Sequence, residues 1–224
     1  MGFVLPPPAP PSVAIAGSDD RFAVRRIYCV GRNYAEHARE FGNDPDRDPP
    51  FFFLKPADAV VDSGSTLPYP PATADLHYEA ELVVALGAGG SDVPEAAALA
   101  LVWGCAAGND LTRRDLQAEA KAMRRPWDMS KGFDASAIVG PLRRGPVPEG
   151  RIRGLLNGTV RQEAKLSDMI WPVAGVIAHL SRLVTLAPGD LIFTGTPAGV
   201  GAMQRGDSFS VEIDGLAPAI VTIG

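Results

Sequence analysis

One stretch limits what this chain can become more than any other. His77-Tyr78-Glu79-Ala80-Glu81 runs directly into Leu82-Val83-Val84-Ala85-Leu86-Gly87. An uninterrupted apolar run of that length, ended by glycine, reads as a strand buried on both faces. Side chains alternate along a strand, so Glu79 and Glu81 point the same way. Neighbouring like charges on one face repel unless something positive lies between them. A hard divalent cation such as Mg2+ suits a site built from oxygen ligands alone. The competing reading is an edge strand whose solvent face is charged, and the pentapeptide alone leaves both open.

Asp110 supplies a third candidate oxygen. It lies in Gly108-Asn109-Asp110-Leu111-Thr112, between a strand-like run (Gly104 to Asp110) and a helix expected from Thr112 to about Met123. Thr112 would cap that helix, with Asp115 completing a capping box. Alone, an Asp there reads as a turn or cap residue. Beside Glu79 and Glu81 it makes a compact hard-metal half-shell, with positions left for water and substrate oxygens. Arg114 and Gln117, on the same helix, would reach into a site beneath the metal.

Two further groups carry possible chemistry. Asn33 is expected to cap a short helix, with Glu36 in the capping-box position. His37 and Glu40 then share one face at i, i+3. A His oriented by a carboxylate is a general base at neutral pH, worth roughly 10²–10⁴-fold in rate; the plainer reading is a solvated surface pair. The charged, Pro-rich loop that follows suggests a closing lid. Lys131 follows Arg124-Arg125-Pro126-Trp127-Asp128 in an irregular loop, where it either neutralises an anion or sits in solvent. Thr194 to Gly201 is rich in glycine but has no helix behind it, which excludes a phosphate-binding loop and a dinucleotide fingerprint. Its amides and hydroxyls suit a carboxylate. His77 reads as a strand-end residue with a local partner, and His179 as structural.

The chain has 224 residues, net charge −5, 24 glycines and 21 prolines. The acidic balance argues against nucleic acid, and the Gly/Pro content suits a loop-rich, strand-rich fold. Strands outnumber helices without β-α-β alternation, so the expected class is α+β with a β-rich core. A Pro-rich arm and short hairpin over 1–25 precede one domain over 26–224. Helices are expected from Pro94 to Val102, and from Pro172 with an apolar face of Val173, Val176, Ile177, Leu180, Leu183 and Val184. Asn157-Gly158 marks a type I′ hairpin, and a second hairpin pairs Ser208–Ile213 with the final strand. Cys29 and Cys105 read as buried thiols. Met1 to Pro11 lacks a signal-peptide core, and no run approaches the roughly 20 apolar residues of a membrane span; a cytoplasmic protein is expected.

Taken in order, several motifs resemble the fumarylacetoacetate hydrolase family. They are Gly31-Arg32-Asn33-Tyr34-Ala35-Glu36-His37, Lys55-Pro56, His77 to Leu82, Asn109 to Gln117, Trp127 to Phe133, and Phe193-Thr194-Gly195-Thr196-Pro197. The Asp115-to-Lys121 run with Arg125-Pro126-Trp127-Asp128 is most similar to the fumarylpyruvate hydrolase branch of gentisate degradation. The resemblance implies a β-rich mixed roll, a homodimer, and Mg2+ or Mn2+ held by Glu79, Glu81 and Asp110. It implies that His37 and Glu40 activate water from a lid, that Lys131 is the catalytic lysine, and that Arg114, Gln117 and Thr196 contact substrate. The additional acidic ligand of larger members has no counterpart, so three protein ligands plus water are expected. The implied reaction is hydrolytic carbon–carbon cleavage of an acylpyruvate, with Arg32, Arg124 or Arg125 holding a distal carboxylate. Oxaloacetate decarboxylation, isomerisation of 2-hydroxyhepta-2,4-diene-1,7-dioate, and a non-enzymatic metal-binding module are the alternatives.

Overall fold

The structure, a computed structural model, describes residues 2–34 and 49–224. His37 and Glu40 lie outside the described residues, as does the helix expected after Asn33.

The apolar run forms a strand, Ala80–Leu86, buried at every position. It sits inside an eight-stranded mixed sheet, between Asp190–Phe193 and Val102–Asp110. The edge-strand reading of Glu79 and Glu81 therefore fails. Arg26–Gly31 and Phe51–Lys55 extend the sheet beyond Asp190–Phe193, while Ala137–Val139 and Val60–Asp62 extend it beyond Val102–Asp110. Most neighbours are antiparallel, but Asp190–Phe193 runs parallel to Arg26–Gly31, and Ala137–Val139 parallel to Val60–Asp62.

Alternation along Ala80–Leu86 feeds two cores. Leu82, Val84 and Leu86 pack with Phe209, Val211 and Ile213 of a five-stranded sheet and with Val176, Ile177 and Leu180 of a helix. Val83 and Ala85 face the other way, onto Ile27, Cys29, Ala106, Leu191 and Phe193. The five-stranded sheet holds both expected hairpins: Arg151–Leu156 with Thr159–Lys165, and Ser208–Ile213 with Ala219–Ile223. Asn157 and Gly158 both take positive φ, 51° and 78°, as a type I′ turn requires. The result is the β-rich α+β roll the sequence implies, with four short helices among the described residues.

Several local expectations change. The helix after Pro94 is four residues, Glu95–Ala98, then a 3-10 turn over Leu99–Leu101; the β-branched Val102 already belongs to the sheet. The second helix begins at Arg114, because Thr112–Arg113 pairs with the Leu76–Tyr78 strand. Thr112 donates to the Asp110 carbonyl at 3.1 Å, and Asp115 holds Thr73 and the Ala74 amide instead of a helix cap. Pro172 caps the helix Val173–Leu183 as expected, yet Leu183 is 69% exposed because the helix ends there, beyond the packed face. Both cysteines are free and buried. Among the described residues no helix is long and apolar enough to cross a membrane.

Candidate metal and substrate site

The glutamate strand and the aspartate strand are antiparallel neighbours, with Glu81 opposite Gly108. Beyond that pair, the Asp110 amide donates to the Glu79 carbonyl at 2.9 Å, and Asn109 Oδ1 receives the Glu79 amide at 2.9 Å. This register brings Glu79, Glu81 and Asp110 together: all are buried, with ligand-capable atoms within 4.8 Å of one another. Glycine at 108 leaves room for Val83 and Phe193 beside the cluster, since a Cβ there would stand 3.1 Å from the Phe193 ring.

Three buried acids can share a site only if cations or hydrogen bonds hold them. Lys131, on the short helix Asp128–Lys131, lies between two of them, with Nζ 2.7 Å from both Glu79 Oε2 and Asp110 Oδ2. Burial alone would lower its pKa; Asp110 and Glu79 outweigh that and raise it, so Lys131 is an ammonium. Lys55 Nζ stands 2.7 Å from Asp110 Oδ1, donates to the Leu111 carbonyl at 3.1 Å, and also binds the Lys131 carbonyl. Arg114 Nη2 pairs with Glu79 Oε1, and its Nη1 donates to Gln117 Oε1 at 2.6 Å. Glu81 receives the Gly195 amide at 2.7 Å. Gly195 has φ +96°, and a Cβ there would lie 2.7 Å from that of Asn33, so both conformation and space demand glycine.

Asn33 ties two other segments to the site, and the helix it is expected to cap lies outside the described residues. Its amide donates to the Thr194 and Trp171 carbonyls, and its Oδ1 receives the Trp171 amide. It thereby pins the loop that carries Gly195 and Thr196. Thr196 is buried beside the cluster, with Oγ1 accepting from Gln162 Nε2 at 2.8 Å. His77 does have its local partner, Asp75, 2.9 Å from Nε2. It also supports the site: Arg114 Nε donates to Nδ1 at 3.4 Å, while burial and the Arg114 charge lower the His77 pKa and keep the ring neutral.

The residues present fit a divalent cation. Burial, then Asp110 and Glu79, push the Glu81 carboxyl well above the usual carboxylate range, the direction that a nearby cation would reverse. Asp110 Oδ1, buried beside Lys55, has no aligned hydrogen-bond donor. A small cation with high charge density relieves both features, and three carboxylates are the oxygen donors such an ion selects.

A cavity opens over this cluster. Its lining includes Glu79, Glu81, Lys131, Arg114, Gln117 and Thr196, and further out Arg32, Lys121, Phe53 and Trp127. Arg32 is the member of the expected trio Arg32, Arg124 and Arg125 that lines the cavity; Arg124 and Arg125 are exposed on the helix C-terminal turn. Sequence reasoning missed Lys55 and Lys121. The signal for Lys55 was strand alternation, which sets Phe51, Phe53 and Lys55 on one face; for Lys121 it was helical spacing from Arg114 and Gln117.

Comparison with known proteins gives a consistent picture. The family model described as fumarylacetoacetate (FAA) hydrolase C-terminal matches residues 26–223. A fumarylpyruvate hydrolase of Ralstonia sp. is 42% identical over 177 residues, 78% of this chain and 92% of its own. The mitochondrial oxaloacetate tautomerase of Rattus norvegicus is also 42% identical, over 86% of this chain and 88% of its own. The crystal structure of fumarylpyruvate hydrolase from Pseudomonas aeruginosa, in complex with Mn2+ and pyruvate, superposes with a TM-score of 0.95 at 51% identity, covering 99% of each chain.

Proposed function

The chain belongs to the fumarylacetoacetate hydrolase family, and from that premise we propose that it hydrolyses the carbon–carbon bond of an acylpyruvate, fumarylpyruvate to fumarate and pyruvate. The observation that carries this reading is the cluster of three buried carboxylates beside a buried ammonium, at the floor of a cavity.

Glu79, Glu81 and Asp110 would hold Mg2+ or Mn2+. When bound, the ion supplies Lewis acidity to a 2-oxo acid and a template for its orientation. The chain's own groups do the rest. Arg114, fixed by Glu79, Gln117 and His77, presents a guanidinium to the substrate's carboxylate end, and Gln117 and Thr196 add polar contacts. His37, oriented by Glu40, takes a proton from water, and the resulting hydroxide attacks the distal carbonyl. The bond between that carbon and the methylene breaks, giving fumarate and the enolate of pyruvate. The Lys131 ammonium stabilises the developing negative charge, then the methylene carbon regains a proton. The free buried cysteines suit a reducing, cytoplasmic compartment, and the family resemblance supports a homodimer, with residues 1–25 appended to a catalytic unit over 26–224.

The test is turnover of acylpyruvates by the Mn2+-loaded protein, followed as loss of enol absorbance with product identification. His37→Ala should abolish hydrolysis while Mn2+ affinity stays nearly unchanged; equal loss of both would remove His37 from the base role. The similarity to an oxaloacetate tautomerase favours a second reading, enolisation of a 2-oxo diacid without carbon–carbon cleavage. That reading predicts altered keto–enol exchange of oxaloacetate with no fumarate released from fumarylpyruvate.

A further inference from the structure

We infer that Gln162 is a positioning residue, which fixes the Thr196 hydroxyl as a hydrogen-bond donor to an oxygen of the bound 2-oxo acid. This rests on the acylpyruvate reading and states which way one of its polar contacts runs.

Gln162 reaches the site from the five-stranded sheet. It is the one buried residue of the strand Thr159–Lys165, whose other side chains are exposed or half-buried. The inward position of such a strand ordinarily takes an apolar side chain. A polar one there has to spend its hydrogen-bonding groups. A bulge aims it: Gly154 pairs with Gln162 and Leu155 with Val160, so Arg161 is left over. Glycines clear the space on both sides. A Cβ at Gly154 would stand 3.0 Å from Gln162 Oε1 and 2.6 Å from the Phe209 ring. One at Gly199, where φ is +92°, would overlap the Arg161 carbonyl.

The partners of Gln162 fix its orientation. Oε1 receives the Ala80 amide at 2.9 Å, where the chain steps from the strand Leu76–Tyr78 to Ala80–Leu86. Nε2 donates at 2.8 Å to both the Pro197 carbonyl and Thr196 Oγ1. A main-chain N–H can only donate and a carbonyl can only accept, so the carboxamide cannot be turned around. Its second hydrogen therefore goes to Thr196 Oγ1. A hydroxyl that accepts there keeps one proton to give elsewhere. Among the described residues no protein group accepts that proton. Thr196 lines the cavity together with Glu79 and Glu81. The ligand that completes the pattern presents an acceptor, and the carboxylate and keto oxygens of a 2-oxo acid only accept. With Gln162 gone, the hydroxyl is free to rotate and its proton is no longer directed.

The decisive experiment is a double-mutant cycle on the full-length, Mn2+-loaded protein, with pyruvate binding read by calorimetry. Thr196→Val and Gln162→Leu should each weaken pyruvate binding about tenfold, the scale of one hydrogen bond to a charged group. The double variant should stay within about twofold of either single one, because both remove the same donor. Thr196→Ser, which keeps the hydroxyl, should bind within about threefold of wild type. Losses that multiply in the double variant, or full pyruvate affinity in either single variant, overturn the inference. A matching loss of Mn2+ affinity in Gln162→Leu would make Gln162 a prop for the Glu79 segment and overturn the donor role as well. Should Gln162→Leu fail to fold, Gln162→Glu takes its place. It keeps the acceptor for the Ala80 amide but has at most one hydrogen for two acceptors. The same loss is expected of it, and wild-type affinity overturns the inference. So does a wild type that binds no pyruvate. If wild type binds pyruvate but turns over no acylpyruvate, the proposed hydrolysis falls and the cycle still decides the role of Gln162.

Discussion

The inner and outer halves of this cavity seat their charges on different kinds of support. Inside, Glu79 and Asp110 are joined by direct ion pairs to Lys55, Lys131 and Arg114, all buried or nearly so, while Glu81 receives the Gly195 amide. Outside, Arg32 and Lys121 rest on aromatic rings and are half-buried. The inner half is locked by these contacts, and its three carboxylates would hold the divalent ion that grips a 2-oxo acid. The outer half seats its cations on ring faces. Ion pairs fix the charges of the interior, and aromatic contacts position those of the rim.

The contrast can be broken most severely at Lys131. Lys131→Met should reduce kcat by about 10²–10³-fold or more, as expected for removal of a donor aimed at developing charge. Mn2+ affinity should hold or increase, because a competing cation has gone. Calorimetry and initial rates on one preparation test both halves of that statement. Glu81→Gln should do the reverse, weakening Mn2+ by more than the roughly 10–100-fold typical of a group outside the ligand shell. Chelation of the wild type followed by Mn2+ titration gives the reference.

Lys55 tests whether balance also stabilises the fold. Lys55→Met removes one of the two buried ammoniums paired with Asp110, and urea denaturation should show a loss of about 3–5 kcal/mol. The exposed pair Arg153–Glu212, 2.8 Å apart, is the control; Arg153→Ala should cost about 1 kcal/mol or less. A similar cost at both positions would erase the distinction. The smallest effect belongs to the rim. Lys121 lines the cavity and carries charge below its pKa of about 8, so kcat/KM for an anionic substrate should decline as pH rises through about 8.

What the sequence made legible follows how local its physics is. Ala80–Leu86 declared itself by length and apolarity, and Glu79, Glu81 and Asp110 by residue type beside small-residue strands. The Asn157-Gly158 turn needed only its own backbone preference. Lys55 was not visible as a site residue because nothing in its neighbourhood says which face of Phe51–Lys55 meets the cluster; the sheet order decides that. Arg124 and Arg125 drew notice as arginines able to grip a carboxylate, yet both stand exposed where the helix ends. Thr112 had the chemistry of a cap, but pairing with His77 claimed its backbone first. His77 showed that it had a local partner and hid its contact with Arg114, 37 positions away.

The contact from Gly195 to Glu81 is made by the main chain, so no side chain can be trimmed to remove it. Alanine scanning along Thr194–Pro197 would register crowding against Asn33 when it reached this residue, and would never report the hydrogen bond itself. An amide-to-ester replacement at that single linkage is the edit that isolates it. Surveys built from ordinary mutants will therefore understate how much of this acidic pocket is held by backbone.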